Sequence, residues 1–244
     1  MTAPIPPVSL FAPAKLTLSL RMTGLRDDGY HLIDAEMVTL DLADTLHVSD
    51  GDGLELVDGA TGAGLAVADG DDNLVRRALA LAGRTAHVRL EKRIPAGAGL
   101  GGGSADAAAV LRWAGFTDLA AAGRIGADVP FCMVGGRARV TGIGEIVESL
   151  PFVDRTLTLL TPPFGCSTPQ VYRAWDDLGG PTGEYGNDLE PAALVVEPRL
   201  AEWRDRLAEA TGERPRLAGS GSTWFVEGAH PGDDRVVVRT IPGA

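Results

Sequence analysis

Pro95-Ala96-Gly97-Ala98-Gly99-Leu100-Gly101-Gly102-Gly103-Ser104-Ala105-Asp106 is the stretch on which the reading of this chain turns. Five glycines fall in the seven residues from Gly97 to Gly103. Glycine loses more backbone entropy on ordering than any other residue, so such a cluster is expected where backbone must approach a partner closely or take positive φ. The run from Ser104 to Leu111 is rich in alanine, the best helix former, and Ser104 or Asp106 suits a helix start. Before the cluster, Val88, Leu90 and Ile94 read as a strand leading to Pro95. The order is strand, glycine loop, helix. Free N–H groups at the helix start, with the positive end of its dipole, would then point into the loop and make it an anion cradle. By spacing alone, a flexible surface loop is the alternative. The stretch is not a Walker A loop, because no Gly-Lys-Ser/Thr follows it. It fits a dinucleotide fingerprint poorly, with three consecutive glycines and a long Ala-rich helix.

Three further clusters carry candidate chemistry. In Gly126-Ala127-Asp128-Val129-Pro130-Phe131, Asp128 is a general base or a turn and N-cap residue. In Pro13-Ala14-Lys15-Leu16-Thr17, Leu16, Leu18, Leu20 and Met22 alternate with Lys15, Thr17, Ser19 and Arg21. That pattern predicts a half-buried strand with Lys15 and Thr17 on its polar face, where a lysine is ordinarily solvated. In Asp28-Gly29-Tyr30-His31, just after a turn at Arg26 to Gly29, the phenol and imidazole either lie exposed or stack on and hydrogen-bond a planar base.

The remaining chain reads more coarsely. Leu54 to Gly70 suggests hairpins or loops, and Asn73 caps a helix that stops at Gly83. Ala138 to Leu150 predicts a hairpin turning at Thr141 to Gly144. A second region begins near Pro151, with a strand at Leu157 and Leu159 and a helix from Ser167 and Thr168 to Gly179. Leu200, Trp203 and Leu207 have helical spacing, and strands follow at Leu217, Trp224 to Val226 and Val236 to Val238, an alternating α/β pattern. There is no internal repeat.

With 244 residues, 45% of them hydrophobic, the chain can bury a core, and its 23% charged content does not mark disorder. A net charge of -11 disfavours a polyanion such as DNA but leaves room for a nucleotide held by backbone amides. Cys132 and Cys166 have no metal-ligand spacing and are expected to be buried, reduced thiols of a cytoplasmic protein. Met1 to Ser9 lacks the basic start and apolar run of a secretory signal and is expected to lead into a strand. No membrane and no nucleic-acid partner is expected, and the assembly is a monomer or homodimer.

Taken together and in order, Pro13-Ala-Lys-Leu, Asp28-Gly-Tyr-His, Pro95 to Asp106, Gly126-Ala-Asp-Val-Pro-Phe, Asn187-Asp-Leu-Glu and Ser220-Gly-Ser-Thr resemble the motifs of the GHMP small-molecule kinases. Within them they resemble the branch whose acceptor carries a cytidine diphosphate. The likeness runs from Pro13 to about Phe225. It implies an α+β GHMP kinase fold: a ribosomal S5 domain 2-like, ATP-binding half over residues 1–150 and a ferredoxin-like half over 151–244, with the site between them. It implies ATP and Mg²⁺ as cofactors. It makes Asp128 the base and Lys15 its catalytic partner. Pro95, Ala96, Gly97, Ala98, Gly99, Leu100, Gly101, Gly102, Gly103, Ser104 and Ala105 would wrap ATP, with Ser104 also near the metal. Thr17, Tyr30, His31, Thr168 and Tyr172 would bind the acceptor. Other acceptors of the wider family (homoserine, mevalonate, sugars) and a non-catalytic nucleotide-binding paralogue are the alternatives. The chain departs from the resemblance at Thr17, where the family carries Asn, and at Ala105, where it carries Ser.

Overall fold

A long hairpin organises the first half of the molecule. In the computed structural model, which describes residues 6–65 and 73–243, β1 (Val8–Leu25) runs antiparallel to β2 (His31–Ser49), in register from Val8 opposite Val48 to Leu25 opposite His31. Gly29, at φ 87°, closes the turn, a conformation a side chain would resist. β2 also pairs with β4 (His87–Lys92) through Thr45 to Ser49 and with β5 (Arg137–Gly142) through Ile33 to Val38. β3 (Gly53–Asp58) adds in parallel to β4, and β6 (Ile146–Leu150) antiparallel to β5. The hairpin expected over Ala138 to Leu150 is therefore present. Of the loops expected over Leu54 to Gly70, residues 66–70 lie outside the described residues, as do residues 1–5 of the lead-in.

Four helices are interspersed among the strands of this half, one between β3 and β4 and three between β4 and β5. They are α1 (Leu74–Leu81), α2 (Gly102–Trp113), α3 (Leu119–Gly123) and α4 (Val129–Val134). The Asn73 side chain accepts from Val75 N and starts α1, as its sequence position foretold. α2 is buried from Ala105 to Leu111 and packs against β1, α1 and α4. A helix this rich in buried alanine lets three neighbours approach it closely, with Asp106 the polar exception on its buried stretch.

The second half holds a separate four-stranded antiparallel sheet in the order β10-β7-β9-β8. Its strands are β7 (Thr156–Leu160), β8 (Arg216–Leu217), β9 (Trp224–Glu227) and β10 (Val236–Arg239). Three helices come consecutively between β7 and β8: α5 (Thr168–Asp177), α6 (Glu190–Val196) and α7 (Leu200–Thr211). The strands and the two helices expected here are present, but α6 was not read from the sequence, so three helices in succession replace a strict alternation. The first sheet ends at Leu150 and the second begins at Thr156. Bridges at Leu20 to Asn187, Leu40 to Thr240 and Gly135 to Gly243 sew the halves together.

β1 differs from expectation on its polar face. Leu16 is fully buried, but so are Lys15 (5% exposed) and Thr17 (2%). The strand is covered on both sides because the glycine loop and the second half close over the face that alternation assigned to solvent. Among the described residues no helix is long and apolar enough to cross a membrane.

Candidate active site

The glycine loop lies against β1 and the loop around Gly219 to Gly221. Gly97, Gly99 and Gly101 all have positive φ, near 70–80°. A Cβ on Gly99 would stand 2.5 Å from Ala218 O and 2.7 Å from Gly221 O, and one on Gly101 would stand 2.7 Å from Lys15 Cγ. These are the close approaches that glycine alone permits. Lys15 N donates to Leu100 O, and Thr223 N donates to Ala98 O. α2 begins at Gly102, earlier than the Ser104 or Asp106 start read from the sequence. Its N-cap is Gly101, with no side chain capping the helix. The first-turn N–H groups thus face outward, as an anion cradle requires.

The cradle forms one wall of a cavity of ≈ 880 Å³. Every residue singled out from the sequence lines it except Leu100 and Ala105. Those two turn their side chains into the core, each 1% exposed, which leaves only their backbone to face a nucleotide.

Lys15 and Asp128 meet in this cavity. Lys15 Nζ lies 3.3 Å from Asp128 Oδ2 and donates to Thr17 Oγ1 at 3.1 Å. The register of β1 slips between Pro13 and Lys15 and again between Thr17 and Ser19. Bulges of this kind re-aim side chains, and here they bracket the two polar residues. Asp128 directly precedes α4, yet its side chain makes no cap hydrogen bond. It thus occupies the turn and N-cap position read from the sequence, while its carboxylate faces the lysine.

Aromatic side chains line another part of the same cavity. Tyr30 is 59% exposed, with the Arg26 guanidinium 5.4 Å from its ring centre. His31 reaches across to the second half: its Nε2 is 2.8 Å from Asp176 Oδ1, and its ring centre lies 5.1 Å from that of Tyr172. Burial, and secondarily the charge of Asp128, pushes the Tyr172 phenol up to about 12, so it stays a neutral donor. Thr168, at the start of α5, hydrogen-bonds Ser220 at 2.8 Å.

Comparison with known proteins identifies the family and the fold. The GHMP kinases N terminal domain model matches residues 73–136. The chain is 40% identical over 237 residues to the 4-diphosphocytidyl-2-C-methyl-D-erythritol kinase of Paracoccus denitrificans, covering 88% of this chain and 84% of that one. It is 39% identical over 256 residues to the enzyme of the same name from Ruegeria pomeroyi, covering 93% and 90%. The chain belongs to the 4-diphosphocytidyl-2-C-methyl-D-erythritol kinase family. A solved structure of a 4-(cytidine 5'-diphospho)-2C-methyl-D-erythritol kinase superposes with a TM-score of 0.75 at 31% identity, over 96% of this chain and 99% of that one. A homoserine kinase from Cytophaga hutchinsonii shares the fold, with a TM-score of 0.62 at 16% identity over 100% of this chain and 97% of that one. The GHMP kinase fold expected from the motifs is the fold of this chain.

As a member of the 4-diphosphocytidyl-2-C-methyl-D-erythritol kinase family, the chain also carries a buried ionic cluster that sequence reading missed. Lys92 donates to Asp106 Oδ2 at 2.7 Å and to Asp44 Oδ2. Asp44 is fully buried and also accepts from Ile94 N at 2.8 Å. Burial pulls the Lys92 ammonium down, but the two carboxylates outweigh it and the net direction is up. Asp106 is raised to about 7, chiefly by burial, and its Oδ1 has no hydrogen-bond partner. Lys92 and Asp106 line the cavity beside Asn73 and Leu74, and a Cβ on Gly102 would stand 3.3 Å from Lys92 Nζ. A lysine from β4 thus stands beside the start of α2, bonded to two carboxylates. One signal was available: Lys92 continues the Val88, Leu90 side of its strand, where an apolar residue belongs. Of the thiols, Cys132 is buried as expected and pushed up to about 12 by burial. Cys166 is only partly buried, which corrects the expectation for it.

Proposed function

We propose that this protein transfers the γ-phosphate of ATP to the 2-hydroxyl of 4-diphosphocytidyl-2-C-methyl-D-erythritol, a step of non-mevalonate isoprenoid precursor synthesis. The observation that carries the reading is the contact of Lys15 with Asp128 at 3.3 Å, beside the uncapped start of α2. A triphosphate laid along the cradle brings its far end to this pair. The Asp128 carboxylate takes the proton of the acceptor hydroxyl as its oxygen bonds to the γ-phosphorus. The bond from that phosphorus to the β,γ-bridging oxygen breaks, and ADP leaves. Lys15, the amides at Gly102 to Ser104 and Lys92 supply the positive field that phosphoryl transfer needs more than covalent help. Residues 1–150 form the ATP-binding domain in this reading and 151–244 the domain that completes the acceptor site.

Mg²⁺ accompanies ATP. Ser104 Oγ and the Asp128 carboxylate offer hard oxygen ligands, and no group of three or more His, Cys, Asp or Glu able to hold a metal occurs among the described residues. That fits a cation held mainly by phosphate oxygens and water with few protein ligands. Bound there, it would offset phosphate charge.

The acceptor's cytosine lies between Tyr30 and Tyr172. The 5.1 Å between the His31 and Tyr172 centres leaves no room for a base between those two rings. His31, tied to Asp176 through Nε2, keeps Nδ1 for the base edge, and Thr168 contacts the same substrate. The reading includes a cytoplasmic setting, in keeping with two free thiols. The test is incubation of the purified protein with ATP, Mg²⁺ and 4-diphosphocytidyl-2-C-methyl-D-erythritol, beside homoserine and mevalonate. A phosphorylated product from the cytidylyl compound alone is expected. Product from a control and none from that compound would overturn the choice of acceptor.

A further inference from the structure

Asn187 stands outside the cavity yet controls part of its wall. It is 2% exposed, and its side-chain amide donates to both Leu217 O (2.9 Å) and Gly219 O (2.6 Å). Its own oxygen accepts from Leu189 N at 3.0 Å, so the side chain is locked in one orientation. The backbone around it is equally fixed: Leu20 N donates to Gly186 O, and Asp188 N donates to Leu20 O. The Asp188 carboxylate accepts from Met22 N and from Arg21. Asn187 therefore ties β1, the strand of Lys15 and Thr17, to the loop that follows β8.

That loop touches each part of the proposed machinery. A Cβ on Gly219 would stand 3.7 Å from Thr17 Oγ1 and 3.8 Å from Lys15 Nζ. Gly221 and Ala218 meet Gly99 of the cradle, and Ser220 Oγ bonds Thr168. The peptide joining Gly219 to Ser220 is trans, so its N–H points opposite to its C=O. Asn187 draws the C=O into the protein body. The Ser220 N–H is thereby turned toward the cavity, which Gly219 and Ser220 line.

We infer that Asn187 is a positioning residue that presents the Ser220 N–H to a phosphate oxygen at the Lys15 and Asp128 end of the cleft. The inference rests on the phosphoryl-transfer reading above. It adds a backbone donor opposite the α2 cradle, preorganised and requiring no rearrangement at the moment of transfer.

The experiment compares wild type with Asn187→Asp, an isosteric change that removes both donated bonds and sets a carboxylate against two carbonyls. Turnover and KM for ATP are measured well below the melting temperature of each protein, with folding checked by circular dichroism. The expected result is a kcat lowered about 100- to 1,000-fold, the range of losing one oxyanion donor, with KM for ATP within about threefold. The loss should shrink as pH falls, because the protonated acid can again donate to one carbonyl. Asn187→Ser, uncharged and too short to reach both carbonyls, should show the same kcat loss without that pH dependence, and it serves if the Asp variant does not fold. Folded variants with wild-type kcat would overturn the inference, as would a loss confined to KM for ATP. Wild-type turnover is the control: its absence overturns the kinase reading and this inference with it, whereas an active wild type with an equally active variant overturns this inference alone.

Discussion

Lys15 Nζ and Asp128 Oδ2 lie 3.3 Å apart although the residues come from opposite ends of the first half of the chain, one on β1 and one just before α4. The lysine side chain is 7% exposed and the aspartate 30%. A buried ammonium thus faces a carboxylate that still looks into the cleft, which is what a base serving an incoming hydroxyl requires. Asp128→Asn keeps the shape and removes the proton acceptor. Turnover should fall at least about 100-fold, within the span that general acid–base catalysis contributes. ATP affinity, by fluorescence or calorimetry, should stay within a few-fold of wild type. Near-normal turnover of the Asn variant would take the base role from Asp128.

The aromatic end of the cleft predicts a split between the two substrates. Tyr30 is exposed, with the Arg26 guanidinium across its face. Tyr30→Ala deletes one side of the proposed cytosine sandwich, and base stacking on an aromatic ring is worth about 1–3 kcal/mol. KM for the cytidylyl acceptor should rise roughly 5- to 100-fold while KM for ATP hardly moves. Equal changes in both constants would place the cytosine elsewhere.

Much of this was legible before any coordinates. A glycine cluster between a strand and an Ala-rich segment marks itself, because its entropic cost needs a reason, and the Asn73 cap and the Ala138 to Leu150 hairpin are local signals. What escaped was non-local. Nothing in Leu16, Leu18 and Leu20 tells that the glycine loop and the second half of the chain cover the other face of β1, so Lys15 looked solvated. Nothing near Asp44 announces that Lys92 and Asp106 converge on it from β4 and α2. The helix start was misplaced because capping rules favour a side-chain acceptor, and this helix leaves its first N–H groups free for a ligand.

Gly99 offers a test of the cradle that leaves charge untouched. Its φ is 78°, and an added methyl would press on two carbonyl oxygens of the Ala218 to Gly221 loop. Neither can give, being backbone. Gly99→Ala should cost about 1–3 kcal/mol in stability and weaken ATP binding, read as a lower melting temperature and a raised Kd. The same change at Gly115, whose φ is also positive but which has open space around it, should cost stability without touching ATP affinity. Equal effects on ATP binding at the two positions would count against the cradle.

Asp106 should make stability fall as pH rises. Its folded value is raised to about 7 from its ordinary 3.8, first by burial, with Asp44 adding to the rise and Lys92 opposing it. Between those values the folded chain holds a proton that the unfolded chain has released. Stability from this group is therefore present at low pH, declines as pH rises from about 4, and is fully lost above about 7. Asp106→Asn has no such titration and keeps the Lys92 to Asp44 contact available. Melting temperatures of the two proteins at pH 5, 6, 7 and 8 isolate the term, because every other carboxylate is common to both. Wild type minus variant should decrease steadily to pH 7 and then level. A difference that is flat across the series, or that grows with pH, would mean that Lys92 holds Asp106 ionised throughout and that the free Oδ1 is an unprotonated acceptor.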